Sequence, residues 1–207
     1  MKNFSTFSLM RMGVLTFFAL GGLIFAIAFI DSSKETIQYQ NYDSRIGITN
    51  SSFGSIDNTE SNYVNCEANI VFDQDQLIDI SSFQFNVPIH QFRSNNQQFE
   101  ATIQQLLNTN HSTQITFTQQ KIMVLPIMKM IHLIGELNIA NVNRRIGFRL
   151  SYSLNQDKSI YIKGKEVINL SDFGLNLPNR INGAKNEVTI DLDFKMIDKR
   201  VLMAINQ

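Results

Sequence analysis

The sequence predicts a mainly β protein: an antiparallel sheet curled into a barrel or half-barrel, with one short helix, preceded by an N-terminal hydrophobic helix. Three observations predict it. Beyond about residue 64, apolar and polar residues alternate with a period of two in run after run. One stretch, 95–108, switches to the spacing of an amphipathic helix. The first 30 residues hold a long apolar run with basic residues before it. Strands, one helix and then more strands, with no βαβ alternation and no internal repeat, favour an antiparallel sheet that curls to bury one face of each strand.

In chain order, Lys2 and Arg11 precede an uncharged 19-residue run, Met12 to Ile30, and Asp31 follows it. A helix of that length roughly matches the hydrocarbon core of a bilayer. Positive charge on the leading side predicts an N-terminus in the cytoplasm, with everything after Ile30 outside the inner membrane. Two readings of the run stay open. Ala26-Ile27-Ala28 resembles a signal peptidase site with cleavage after Ala28, whereas the length exceeds the usual h-region and suits a retained anchor. A buried core helix fits poorly, because the run has no polar stripe. The chain after it is expected in the periplasm or otherwise outside the cytoplasm, attached to the inner membrane through residues 12–30 if these are retained.

Residues 31–61 are rich in Ser, Asn, Asp and Thr and read as a tether, with a first strand expected near 36–49 from Ile37/Tyr39 and Ile46/Ile48. The main domain is expected over 62–207. Within it, Ala68, Ile70 and Phe72 point one way. Phe83, Phe85, Val87 and Ile89 alternate with Ser82, Gln84 and Asn86, and Ile115 and Phe117 alternate with Thr116 and Thr118. The run 130–139 mixes apolar residues on both sides, as a strand covered on both faces over part of its length would. Ile146, Phe148, Leu150, Tyr152 and Leu154 form a clean row, Gln156-Asp157-Lys158 reads as a hairpin turn, and Ile160 and Ile162 follow it. The last strand is the clearest, with Val188, Ile190, Leu192, Phe194 and Met196 against Thr189, Asp191, Asp193 and Lys195. In the helical stretch Phe99, Ile103, Leu106 and Leu107 share one face, and Ser94 or Asn95 is the expected N-cap.

Composition narrows the function. Lys+Arg and Asp+Glu each number 18, which argues against a nucleic-acid binder. One cysteine, Cys66, cannot form an internal disulfide, so the fold must hold without one. Cys66 reads as a small strand residue rather than a reactive thiol. His90, His111 and His132 lack the spacing of a zinc site. Asp191 and Asp193 share a strand face opposite the apolar row, where carboxylates are ordinarily solvated charge. Asp172-Phe173-Gly174 matches a kinase tripeptide in letters alone, since no glycine-rich loop, strand lysine or catalytic loop accompanies it. No phosphate-binding glycine loop is present. The residues name no catalytic group, metal site or cofactor.

Three stretches nevertheless resemble a known family: NNQQFEATIQQLLNTNHSTQITFT (95–118), HLIGELNIANVNRRIGFRLSYSL (132–154) and IKGKEVINLSDFGLNLP (162–178), the last followed by a final alternating strand. Together they resemble the YceI-like family of lipid- and polyisoprenoid-binding proteins, over about residues 62–198. The resemblance implies an extended, lipocalin-like antiparallel barrel in the periplasm. It also implies an isoprenoid, in some cases a quinone, held in the lumen without catalysis. Where that family's hairpin often has Gly-Val-Thr, this chain has Asn141-Val142-Asn143, so a differently shaped turn is expected there.

A long isoprenoid gains roughly 25 cal/mol per Å² of apolar surface removed from water and needs a dry tunnel with few polar contacts. An eight-stranded barrel is near the size at which the lumen either fills with side chains or holds one small ligand. The expected lumen lining is Phe83, Phe85, Val87, Phe148, Leu150, Tyr152, Ile190, Leu192 and Phe194, with Phe99, Ile103 and Leu107 closing one end. The expected partner is an isoprenoid or other lipid, and a dimer is compatible with this reading. The alternative is a structural or protein-interaction β-domain of the cell envelope with a filled core.

Overall fold

In a computed structural model, residues 34–52, 55–177 and 186–205 are described. The N-terminal apolar run lies outside them. Among the described residues no helix is long and apolar enough to cross a membrane. Within the described residues nine strands form one antiparallel sheet. They are β1 (Glu35–Ser52), β2 (Ser55–Ser61), β3 (Asn65–Asp73), β4 (Gln76–Pro88), β5 (Gln114–Leu125), β6 (Met130–Ile139), β7 (Val142–Leu154), β8 (Ile160–Asn169) and β9 (Glu187–Asp198). Two α-helices of the described residues accompany them, α1 (Gln97–Leu107) and α2 (Lys199–Ile205). β1 pairs with β9 as well as with β3, which closes β1 and β3–β9 into an eight-stranded antiparallel barrel.

The segment expected as a tether is part of this wall. β1 pairs with β3 through its first half (Glu35↔Phe72 to Gln40↔Glu67) and with β2 through its second (Ile46↔Ser61 onward). Along its other edge it pairs with β9. The expected strand near 36–49 is present and longer, and the polar run that follows it makes β2. The outer edge of β2 is in turn met by the chain leading to α1, through a Glu60↔Arg93 bridge and the Thr59 hydroxyl donating to the Arg93 carbonyl at 3.0 Å.

Antiparallel alternation gives the barrel two rims. The start of β1, the β3–β4, β5–β6 and β7–β8 turns and the end of β9 lie at one, the turn rim. The chain between β4 and β5, with α1, lies at the other, the helix rim. α1 begins at Asn96, whose side-chain oxygen accepts from the Gln98 and Phe99 amides at 3.1 Å each. The cap is therefore one residue past Asn95. Ser94 is occupied elsewhere, its hydroxyl donating to the Asn58 carbonyl at 2.6 Å. The β6–β7 turn is a two-residue hairpin in which Ala140 (φ 51) and Asn141 (φ 62) are both left-handed, the geometry that matches strand twist. Asn110 and Asn141 tie this turn to the loop after α1, the Asn110 amide donating to the Ala140 carbonyl (3.1 Å) and the Asn141 amide to the Asn110 carbonyl (2.8 Å).

Each strand turns one row of side chains inward, as the period of two predicts. β6 is buried along Ile131, Leu133, Gly135, Leu137 and Ile139, while its outer row is half-buried at His132 and Ile134 and exposed at Glu136, so the outer face is covered in part and over part of its length. Gly135 leaves room for a ring: a Cβ there would strike both the Phe117 side chain and the Thr118 carbonyl. The β4–β5 ladder runs only from Gln84↔Thr118 to Pro88↔Gln114. Past it, the Gln119 side chain stands in for the missing rungs, accepting from the Phe83 amide (2.8 Å) and donating to the Ile80 carbonyl (3.3 Å). From there β5 continues toward the turn rim paired with β6 alone.

Candidate functional site

The candidate site is the barrel interior with its mouth at the turn rim. All twelve predicted lining residues are buried: Phe83, Phe85 and Val87 on β4, Phe148, Leu150 and Tyr152 on β7, Ile190, Leu192 and Phe194 on β9, and Phe99, Ile103 and Leu107 on α1. They belong to one continuous apolar core. The rings meet across it. Phe85 stacks on Phe117 at 5.4 Å between centroids, Phe117 meets Phe148 edge-on at 5.5 Å, and Phe194 lies 5.6 Å from Phe85 and 5.9 Å from Phe83. Offset and edge-to-face pairs of this kind add about 0.5–1.5 kcal/mol each beyond their buried area. The site also draws on residues the sequence reading left out of the lining, among them Ile37, Tyr39 and Cys66, all buried. Tyr39 was hidden in the presumed tether, and its isolated alternation with Ile37 was the only signal.

At the turn rim a hollow of about 320 Å³ opens between the start of β1 and the β3–β4 and β7–β8 turns, lined by apolar Ile37, Phe72 and Leu154 and by polar Glu35, Gln74, Asp75 and Lys158. That volume is at the lower edge of the roughly 300–1,000 Å³ of small-molecule pockets. Just inside, Tyr39 donates its hydroxyl to the Lys158 carbonyl at 2.9 Å and lies 6.2 Å from Phe72, centroid to centroid. Burial, reinforced by the Asp198 and Glu35 charges, pushes the Tyr39 hydroxyl up to about 12, so it stays a neutral donor. A larger groove of about 480 Å³ lies on the outer wall among Arg45, Glu60, Lys165 and Asp191. Its charges are paired with neighbours, Arg45 with Glu60 at 3.0 Å and Lys165 with Asp191 at 2.7 Å, and it offers little to an apolar chain.

Groups with chemical potential are held in unreactive settings. Cys66 is fully buried, its sulfur 4.0 Å from that of Met196, and burial pushes its thiol up, the opposite of what a nucleophile needs. Asp193 pairs with Lys163 (3.0 Å) and Arg45 (3.5 Å) on the outer wall. His90 and His111 are exposed in turns at the helix rim, and His132 is half-buried on β6. Among the described residues no three potential ligands converge on a metal position. Asp172-Phe173-Gly174 ends a short 3-10 turn in which Gly174 adopts the left-handed cap (φ 72), so these letters mark a turn.

This barrel is similar to several solved structures. BcnA of Burkholderia cenocepacia aligns with a TM-score of 0.62 at 14% identity over 74% of this chain and 96% of its own. A polyisoprenoid-binding domain from Saccharophagus degradans, implicated in plant cell wall breakdown, aligns at 0.58 and 11% identity over 78% of this chain and 99% of its own. The YceI protein of Campylobacter jejuni aligns at 0.55 and 17% identity over 70% and 85%. At these identities the likeness is one of fold. No curated protein matches the chain in sequence. The family model of the YceI-like domain matches residues 30–196, which takes in β1 and β2 as well as the stretches that first suggested it, and the chain belongs to the YceI-like family.

Proposed function

We propose that this protein is a non-catalytic carrier that holds an isoprenoid or other long apolar lipid in the barrel lumen. It works outside the cytoplasm, retained at the inner membrane through residues 12–30 or released by cleavage after Ala28. The observation that carries this reading is the chemistry of the inward rows. Among the described residues the buried polar side chains besides Tyr39 and Cys66 are Ser44, Thr59, Ser61, Ser112, Ser159 and Asn186, and burial keeps the Tyr39 hydroxyl and the Cys66 thiol protonated, so none carries a charge. An interior of this kind offers dispersion contacts and dryness, which a prenyl chain needs, and no group that would act on it. Membership of the YceI-like family and the name of the Saccharophagus degradans domain point the same way. A long chain needs more room than the mouth hollow, so loading requires the rings of Phe83, Phe85, Phe117 and Phe194 to turn aside.

The close contact of those rings favours a second reading, a structural or protein-interaction domain of the envelope with a filled core. Extraction of the purified full-length chain with apolar solvent, followed by mass spectrometry, separates the two. The carrier yields a long-chain lipid in near-stoichiometric amount. A chain that yields none, and that takes up none when offered a prenol, is the filled-core domain.

A further inference from the structure

The β5–β6 hairpin carries an apolar tip into solvent. Beyond Gln119 it leaves the β4 edge, and at its end Ile127 is 96% exposed and Met128 64%, with Met123 on its flank at 52%. A soluble surface seldom presents such a cluster without a partner. The tip is held in shape: the Met128 and Lys129 amides donate to the Leu125 and Pro126 carbonyls (3.1 and 3.2 Å), and the Tyr152 amide donates to the Lys129 carbonyl at 2.9 Å. Its ionisable residues from Lys121 to His132 are Lys121, Lys129 and His132, with no acid among them. Among the described residues the acids elsewhere toward this rim are Asp73 and Asp75 at the β3–β4 turn, exposed Asp79 on β4, Asp157, bonded to Ser159, and Glu35 and Asp198, both paired with Arg200. On the same rim α2 exposes Val201 (50%) and Met203 (53%).

Chain connectivity identifies the partner. The apolar run Met12–Ile30 is separated from β1 only by Asp31-Ser32-Ser33-Lys34, and β1 starts at the turn rim. A tether that short spans at most roughly 18 Å. If that run is retained in a bilayer, the first residue of β1 lies within this reach of its surface. We propose that the turn rim docks on the membrane, with Ile127 and Met128 dipping into the lipid interface and Lys121 and Lys129 beside anionic headgroups. The mouth lined by Ile37, Phe72 and Leu154 then faces the bilayer from which an apolar guest enters. This rests on the carrier and anchor reading above and adds the orientation and the contact element.

The test uses the full-length chain with vesicles of phosphatidylethanolamine and phosphatidylglycerol. An environment-sensitive fluorophore is placed at Ile127→Cys, or at Gln98→Cys on α1 at the opposite rim; buried Cys66 stays silent. The expected result is a blue-shifted residue-127 signal, roughly tenfold less quenched by aqueous iodide than the residue-98 signal and quenched by brominated lipid tails, as for a side chain 5–10 Å into the interface. Equal iodide quenching at both positions overturns the proposal, and so does a chain that fails to bind the vesicles. Solvent extraction reports on lipid carriage separately. A chain that carries lipid while residue 127 stays in water defeats docking alone.

Discussion

The two rims of the barrel are built on opposite terms. At the helix rim the apolar ends of the strands are covered: α1 turns Phe99, Ile103 and Leu107 into the core, and the chain on either side is tied down by side-chain amides. Asn186 is the densest of these ties, accepting from the Leu177 amide (3.0 Å) and donating to the Leu175 carbonyl and the Ser171 hydroxyl (2.7 Å each). At the turn rim the strands end in short hairpins, an apolar tip stands in water and a hollow opens between turns. Among the described residues the loops of the helix rim expose one large apolar side chain, Tyr63, whereas the turn rim exposes Ile127, Met128, Val201 and Met203. A barrel that only had to persist would cover both, so the asymmetry points to the turn rim as the working end.

Mutations should separate the rims, and four comparisons run from large effects to small. Phe99→Ala and Ile103→Ala at the helix rim should each lower the free energy of unfolding by about 3–4 kcal/mol in urea titrations, whereas Ile127→Ser and Met128→Ser should change it by less than about 0.5 kcal/mol. Equal losses at both rims would break the comparison. Asn186→Ala leaves a buried amide and carbonyl unpaired and should cost about 2–3 kcal/mol by the same titration. Asn96→Ala removes the α1 cap and should cost about 1 kcal/mol, with faster amide exchange confined to the first turn of that helix. The last comparison is close to zero at neutral pH and grows under alkaline conditions. Tyr39 near the turn rim, at about 12, and Cys66 in the wall both hold their protons more tightly folded than unfolded. Their contribution is therefore complete below the ordinary thiol and phenol values of roughly 8.5 and 10 and is lost as pH rises through the folded ones. Stability should fall above about pH 9, and Tyr39→Phe should flatten that fall.

Most of the barrel was legible in the sequence because its strands bury one face and expose the other. The rows Phe83–Val87, Phe148–Tyr152 and Ile190–Phe194, and the α1 face of Phe99, Ile103 and Leu107, stand out for that reason. β1 and β2 did not. The pairing of β1 with β9 shifts register between Asn41 and Asp43, so inward positions pass from odd at Ile37 and Tyr39 to even at Ser44, Ile46 and Ile48, and the period of two breaks mid-strand. The inward residues of β2 are Thr59 and Ser61, polar groups paired within the wall, which carry no hydrophobic signal. Two similar register shifts in the β3–β4 pairing, one around Ser82 (φ 54) and one between Leu77 and Asp79, space Leu77, Ile80 and Phe83 by three in β4. Closure of the sheet through β1 and β9, the Gln119 bridge and the mouth depend on partners more than thirty residues apart or on the start of β1 meeting the turns of two hairpins, and no local pattern encodes them.

The central claim is that the inward rows receive an apolar chain. Photo-crosslinking tests it most directly: a diazirine-bearing prenol is equilibrated with the full-length chain, irradiated, and the modified peptides are mapped by mass spectrometry. The account predicts adducts on the inner rows, at Phe83–Val87, Phe148–Tyr152 and Ile190–Phe194. They should be competed away by excess unlabelled prenol. Adducts confined to outer-wall residues such as Val167 or to the Ile127 tip, or no competable adduct at all, would contradict it.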